Sequence, residues 1–175
     1  MADQIELTNF IRDVPDFPKP GIVFKDITPL LASNDAFAEV VRQLAEPFRN
    51  EGIARIAAIE SRGFIFGGAL ARALQCGFVP VRKPGKLPWK TYRREYELEY
   101  GMDALEIHVD AIGRGDRVLI VDDVLATGGT AAATAALLRR FEADIVACAV
   151  VVELSFLNGR DRLEHMPVHS LIRYS

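Results

Sequence analysis

Two adjacent aspartates end an apolar stretch of the sequence and are followed by threonines and paired glycines. The segment VLIVDDVLATGGT runs from Val118 to Thr130 and carries these carboxylates at Asp122 and Asp123. Buried carboxylates and glycines both reduce stability, so the pattern indicates a ligand. Ionised carboxylates only accept hydrogen bonds, which suits the two hydroxyls of a ribose or the water shell of a magnesium ion.

The second half of this segment is suited to a phosphate group. We predict a strand over Val118–Val121, a loop over Asp122–Gly129 and a helix that begins at Thr130. Free N–H groups at a helix N-terminus bind anions, and glycines let the backbone approach them closely. Thr127 and Thr130 can add hydroxyl donors. A phosphorylated sugar therefore satisfies both halves.

Two other interpretations of the segment stay open at this point. A magnesium-holding strand of an ATPase, or an ordinary capped turn, would also place acidic residues and threonines here. The P-loop pattern G-x-x-x-x-G-K-[ST] and the dinucleotide pattern G-x-G-x-x-G do not occur in the sequence. By spacing alone we favour a sugar-phosphate site over a structural turn.

Length and composition predict one domain over residues 1–175, because half of the 175 residues are hydrophobic and 26% are charged. A formal net charge of −3 gives no global attraction to nucleic acid or to an anionic membrane. No apolar run approaches the ~20 residues that span a bilayer, and no basic stretch leads into an apolar core near the N-terminus, so we expect a cytoplasmic protein. We interpret Cys76 and Cys148 as buried thiols.

Helical and strand patterns alternate along the chain, which predicts an α/β fold with a mainly parallel sheet flanked by helices on both faces. The predicted helices cover 35–51, 64–74 and 130–141, and the predicted strands cover 55–59, 78–82, 117–121 and 145–154. The runs EYELEY and ALEIHV predict an antiparallel hairpin around Gly101, and VHSLIRYS an edge strand or tail. Ligands of such sheets bind beyond the carboxyl ends of the strands, where the aspartate pair lies.

Five segments together resemble the type I phosphoribosyltransferases in order and spacing, almost from end to end of the chain. They are DFPKPGIVFKDITPLL, ESRGFIFG, VPVRKPGKLP, LEYGMDALEIHVDAI and the VLIVDDVLATGGT signature. The signature alone leaves the nucleobase open, whereas the five segments together resemble the members that use adenine. The resemblance implies the type I phosphoribosyltransferase fold with a flexible lid hairpin.

The resemblance also implies an activity. It is the purine salvage reaction that transfers the 5-phosphoribosyl group of phosphoribosyl pyrophosphate (PRPP) to adenine and forms AMP and pyrophosphate. Magnesium is required, and it is held mainly by the substrate's pyrophosphate, so no residue is assigned as a direct metal ligand. The family further suggests a homodimer.

Site residues follow from the matched motifs. Asp122 and Asp123 would hold the ribose hydroxyls, and the 5-phosphate would be wrapped by Ala126, Thr127, Gly128, Gly129 and Thr130. Arg62, Arg82 and Lys86 would supply cations for the departing pyrophosphate, with Arg62 and Lys86 in catalytic roles. Without the resemblance, Arg62 would be interpreted as a helix cap or a surface ion pair, and Arg82 as the end of a strand. Lys86 would be interpreted as a solvated loop lysine.

The base pocket is expected in the N-terminal base-binding segment 1–34, at PGIVFKD. Backbone groups of Val23 and Lys25 would face the adenine edge, and the ring of Phe24 would stack on the purine. Core packing is the alternative role for Phe24. Most members of the family carry arginine where this chain has Lys25.

Residues 84–101 are predicted to form the lid loop, which closes over the reaction to exclude water. Its middle, Trp89–Glu95, departs from the family pattern. Strand alternation places Glu95, Glu97 and Glu99 on one face, which by itself predicts a solvated acidic surface. The resemblance singles out Glu99 of LEYG as a catalytic residue that lies beside the purine and helps to manage its proton.

Two alternative functions remain. A non-catalytic regulator could keep the fold to sense PRPP, but it would need a nucleic-acid-binding segment. The first 20 residues are too few for such a segment and are not basic. An enzyme for hypoxanthine, guanine, xanthine or orotate would share the signature but not the PGIVF and LEYG segments. His108, His165 and His169 show no metal-like spacing, and we assign them no chemistry.

Overall fold

The computed structural model describes residues 5–98, 101–164 and 166–175. Contacts divide the chain into two compact units, Met1–Gln43 and Leu44–Ser175. The prediction of one domain over 1–175, with a base-binding segment 1–34 and a lid loop 84–101, stays a prediction.

The first unit contains a short antiparallel ribbon followed by helices. Its elements are a 3₁₀ helix at Leu7–Phe10, strands β1 (Arg12–Pro15) and β2 (Val23–Asp26), α1 (Thr28–Ala32) and the beginning of α2 (Asn34–Ala45). Asp26 fixes the start of α1, because its carboxylate accepts hydrogen bonds from the backbone N–H and the hydroxyl of Thr28, at 2.9 and 2.8 Å.

The helix predicted over 35–51 is shorter than expected. It ends at Ala45, and Glu46–Phe48 continues as a single 3₁₀ turn. The physical reason is Pro47, which has no N–H for an α-helical hydrogen bond and whose ring disfavours a continuous helix.

The second unit is built on a five-stranded parallel sheet in the order β4-β3-β7-β8-β9, which confirms the predicted fold class. The strands of this sheet are β3 (Arg55–Ile59), β4 (Gly77–Val81), β7 (Arg117–Leu125), β8 (Asp144–Leu154) and β9 (Val168–Tyr174). The VHSLIRY segment is therefore the predicted edge strand. The connecting helices are α3 (Gly63–Leu74) and α4 (Gly129–Arg139), with 3₁₀ turns at Ser155–Leu157 and Gly159–Leu163.

The two helices cover opposite faces of the sheet. Gly67 of α3 lies against Ile56 and Ala58 on one face, whereas Ala57 and Ile59, which alternate with them, belong to the core cluster that includes α4. The predicted antiparallel hairpin is also present, as β5 (Thr91–Leu98) paired with β6 (Gly101–His108). Buried residues of β6 extend the α4 core, so the hairpin is packed on the sheet unit.

The interpretation of both cysteines as buried thiols is correct for one of them. Cys148 is fully buried in β8, and burial raises the pKa of its thiol to about 12. Cys76 is only partly buried, because it follows the C-terminal end of α3 instead of occupying a central strand.

Candidate active site

Most of the residues predicted for the sugar and the pyrophosphate lie at one edge of the sheet. Glu60–Arg62 follow β3, Arg82 follows β4, and Asp122 and Asp123 lie near the end of β7. Because β3 runs between β4 and β7 and all three strands are parallel, their carboxyl ends meet. The sheet therefore brings these segments together although they are far apart in sequence.

The aspartate pair lies within a strand and not in the predicted loop. β7 continues to Leu125 because its neighbour β8 extends equally far and pairs Asp122 with Val150. The backbone N–H of Asp123 donates to the carboxylate of Asp122 at 2.8 Å, and Asp123 is only 5% exposed. Burial and the charge of Asp123 raise the pKa of Asp122 well above its ordinary value.

Arg62 contacts the aspartate pair directly. Its Nε donates to Oδ2 of Asp123, while 46% of its side chain stays exposed. The next residue, Gly63, lies so close to β7 that a Cβ there would come within 3.0 Å of Oδ1 of Asp122. The SRG turn thus lies against both carboxylates, and the partly exposed guanidinium of Arg62 is next to them.

Arg82 is held by a residue that we did not assign from the sequence. Its Nε donates to Oε2 of Glu60 at 2.6 Å, and its Nη1 donates to the backbone carbonyl of Lys86 at 3.2 Å. Its guanidinium also lies 5.7 Å from the ring centroid of Phe64. The side chain of Lys86 is exposed. Arg82 therefore connects the residues after β3 with the segment that carries Lys86.

The signature loop forms the tight connection between β7 and α4. The helix begins at Gly129, one residue earlier than predicted, and Gly128 has φ +80°, a conformation that favours glycine. A cavity of about 70 Å³ lies beneath this loop. It is lined by the loop together with Asp122, Thr130 and Cys148. Asp122, the loop and the start of α4 therefore surround one small space.

The hairpin lies next to the start of α4. A Cβ on Gly129 would lie 3.4 Å from the ring of Tyr96 and 3.5 Å from the backbone carbonyl of Glu97. Lys83 donates to the hydroxyl of Tyr96 at 3.1 Å and is also bonded to Asp103. Glu99, the predicted proton-handling residue, lies outside the described residues.

Comparison with known proteins identifies the family. The model of the phosphoribosyl transferase domain matches residues 26–167. The chain belongs to the phosphoribosyltransferase family. It is 58% identical to the adenine phosphoribosyltransferase of Anaeromyxobacter dehalogenans (strain 2CP-1 / ATCC BAA-258) over 164 residues, which cover 94% of this chain and 95% of that protein.

Solved structures of adenine phosphoribosyltransferases share the fold of this phosphoribosyltransferase. That from Rhodothermus marinus is 54% identical, with a TM-score of 0.91 and coverage of 96% of each chain. That from Saccharomyces cerevisiae is 44% identical, with a TM-score of 0.90 and coverage of 94% of this chain and 96% of that one. The yeast structure is a complex with D-2,5-dideoxy-2,5-imino-altritol 1,6-bisphosphate and adenine.

The predicted base-binding residues of this phosphoribosyltransferase lie on β2, in the first unit. Nζ of Lys25 donates to Oδ1 of Asp13 on β1 at 2.7 Å. The ring of Phe24 meets that of Phe17 edge to face, with centroids 5.2 Å apart, and Val23 is exposed. An ion pair and a ring contact therefore hold this strand, and its role toward adenine stays a prediction.

Within residues 5–98, 101–164 and 166–175 of the phosphoribosyltransferase, no group of three or more His, Cys, Asp or Glu residues could hold a metal ion. The Nε2 atom of His108 accepts a hydrogen bond from the backbone N–H of Trp89 at 3.3 Å, and the ring of His169 meets that of Phe48. His165 lies outside the described residues. No helix in the described part of the chain is long and apolar enough to cross a membrane.

Proposed function

We propose that this protein transfers the 5-phosphoribosyl group of PRPP to adenine and forms AMP and pyrophosphate in purine salvage. The observation that carries the proposal is the Asp122–Asp123 pair, bonded to Arg62 and placed directly before a glycine loop that opens a helix. The likeness to adenine phosphoribosyltransferases over nearly the whole chain supports adenine as the base.

The arrangement suits a reaction in which the bond between the anomeric carbon and pyrophosphate breaks. Positive charge then develops on the ribose ring, and the carboxylates of Asp122 and Asp123 stabilise it while they accept hydrogen bonds from the ribose hydroxyls. The N–H groups of the loop from Ala126 to Thr130, with the hydroxyls of Thr127 and Thr130, hold the 5-phosphate. The aspartate pair and the loop lie at the same end of the sheet, so the sugar is held both at its ribose hydroxyls and at its 5-phosphate.

Negative charge develops on the departing pyrophosphate, and the cations of the site stabilise it. Arg62 and Lys86 act on it most directly, because the side chain of Arg62 is half-exposed and that of Lys86 is exposed. Arg82, held by Glu60, supports the segment that carries Lys86. A magnesium ion bound by the pyrophosphate oxygens would neutralise further charge, with the carboxylates of Asp122 and Asp123 available to its water shell.

Adenine is proposed to bind at β2. Backbone groups of Val23 and Lys25 read its edge, and Phe24 stacks on its ring. The side chain of Lys25 is bonded to Asp13, which supports recognition by the main chain at this position. The segment 84–101 is the proposed lid, and it adjoins the start of α4 at Tyr96 and Glu97.

A homodimer is part of the proposal, and its support is an apolar surface on α3 and β4. Ile65 is 43% exposed and Phe78 is 39% exposed, and the ring of Phe64 packs edge to face on that of Phe78 at 5.5 Å. The Phe64–Phe78 contact joins α3 to β4, and exposed large apolar side chains on joined elements are candidates for an interface. The cytoplasmic location stays a prediction.

The direct test is formation of AMP from adenine and PRPP, followed by chromatography with magnesium present. We expect AMP and pyrophosphate in equal amounts, and no AMP when ribose 5-phosphate replaces PRPP, since it lacks the leaving group. A non-catalytic sensor would bind PRPP without forming AMP, and that outcome would refute the proposal.

Glu99→Gln is expected to lower turnover ~100-fold or more, because the amide keeps the size of the side chain but removes the acid. The attacking purine must lose or redistribute a proton, and a positioned carboxyl group is worth ~10²–10⁴ in rate. Steady-state kcat with saturating substrates is the measurement.

Glu95→Gln and Glu97→Gln are the matched controls, since both residues are exposed on the same strand. They should stay within about threefold of the wild type, as expected for solvated surface charges. Equal effects of all three substitutions would show that Glu99 belongs to a solvated face and that the proton is handled elsewhere.

A further inference from the structure

The phosphate loop is supported from behind by a second segment of the chain. A Cβ on Gly128 would overlap the backbone carbonyl of Gly159, and a Cβ on Gly159 would overlap that of Ala126. The two backbones are thus in direct contact, with no side chain between them. Any movement of Gly159 changes the space available to the loop.

Gly159 begins a 3₁₀ turn, Gly159–Leu163, that an ion pair ties to the sheet. Arg160 donates from Nε to Oε1 of Glu153 at 2.6 Å and from Nη2 to Oε2 at 2.7 Å. This bidentate geometry fixes the direction of the guanidinium as well as its distance. The residue after Gly159 is therefore held in one orientation.

Glu153 is itself firmly placed. Its side chain is 5% exposed, and it lies on β8 in register with Leu125, the last residue of β7. Its Oε2 also accepts a hydrogen bond from the hydroxyl of Ser170 at 2.5 Å and lies 3.2 Å from Nε of Arg173. The hydrogen bonds from Arg160 are the largest cause that lowers the pKa of Glu153, and Ser170 and Arg173 lower it further. The pKa is about 2, so Glu153 is ionised at neutral pH.

We infer that Glu153 and Arg160 are positioning residues for phosphate binding. They hold Gly159 against Ala126 and Gly128, so the loop keeps the shape that receives the 5-phosphate before the substrate arrives. Neither side chain touches the substrate in this scheme. The inference rests on the proposed function, which assigns the 5-phosphate to this loop.

The test substitutes Glu153 by Gln and measures the affinity for PRPP and AMP by calorimetry, together with KM for adenine and kcat. The amide removes the charge that binds Arg160 and Arg173, so Gly159 is no longer fixed. We expect the affinities for PRPP and AMP, which both carry the 5-phosphate, to fall ~10-fold or more. KM for adenine at saturating PRPP should stay within about threefold, as should kcat.

A matched control exists on α2. Glu39 also receives a bidentate pair, from Nε and Nη2 of Arg42 at 2.8 and 2.6 Å, and its pKa is likewise lowered to about 2. Glu39→Gln makes the same chemical change and should leave the affinities for PRPP and AMP within twofold of the wild type. Arg160→Lys, which keeps the charge but loses the bidentate geometry, should lie between the wild type and Glu153→Gln.

Several outcomes would overturn the inference. One is a folded Glu153→Gln protein with the PRPP affinity of Glu39→Gln, and another is an equal loss of adenine and phosphate affinity. If Glu153→Gln does not fold, Arg160→Lys decides by the same criteria. Failure of the proposed function is distinguishable, because the wild-type protein itself would then form no AMP.

Discussion

Adenine should be used at least ~10⁴-fold more efficiently than hypoxanthine, as measured by kcat/KM with saturating PRPP. A pocket that reads the amino group of adenine as a donor and a ring nitrogen as an acceptor leaves buried groups unpaired with hypoxanthine. Such unpaired polar groups give large discrimination, whereas an apolar pocket separates similar bases only weakly. Comparable efficiency with hypoxanthine would refute the assignment of adenine.

A substitution at Lys25 provides the control for this result. If the backbone of β2 reads the base, Lys25→Arg should keep the discrimination within about tenfold, because arginine can still pair with Asp13. A large loss of discrimination in this variant would assign the reading to the side chain. Guanine, xanthine and orotate belong in the same assay, since they represent the alternative members of the family.

Turnover should fall ~10³-fold or more when Asp122 and Asp123 are both changed to Asn, while the protein stays folded. In the proposed mechanism the two charges act mainly in the transition state, where the ribose ring becomes positive, so kcat should fall more than KM rises. Circular dichroism checks the fold. Asp144→Asn is the control, because it removes the carboxylate that forms an exposed ion pair with Arg117. Asp144 is the first residue of β8, so it lies at the end of the sheet opposite to the aspartate pair. Turnover near that of the wild type in a folded double variant would remove the pair from the mechanism.

The single substitution Asp123→Asn gives a further check on the pair. The charge of Asp123 is one cause of the raised pKa of Asp122, so its removal should lower that pKa. If Asp122 sets the acidic limb of the pH profile of kcat, that limb should therefore move to lower pH. An unchanged acidic limb would show that Asp122 does not control it.

The central strands could be predicted because buried parallel strands are continuous apolar runs. The prediction over 55–59 coincides with β3, and that over 145–154 differs from β8 by one residue. The predicted end of β7 at Val121 was wrong. Carboxylates suggest a loop, whereas pairing with β8 keeps Asp122 within the strand. That pairing is a property of the sheet, which local sequence does not encode.

The site could be predicted in part, since spacing places Asp122 before the glycine loop. The ion pairs Arg62–Asp123 and Arg82–Glu60 join distant segments, and the hydrophobic periodicity of the sequence does not predict such pairs. Glu153 did leave a signal: like Asp122, it is a carboxylate at the end of a long apolar strand. Such a residue needs a partner or a ligand.

The contact between Gly128 and Gly159 constrains how this enzyme can be redesigned. The signature loop is a contiguous peptide, and a design based on sequence alone would transplant it into another scaffold as a single module. Its shape, however, depends on a backbone about thirty positions downstream that excludes any side chain at either point. A functional chimera must therefore exchange the two segments together, and the host must provide an anchor equivalent to the bond between Arg160 and Glu153.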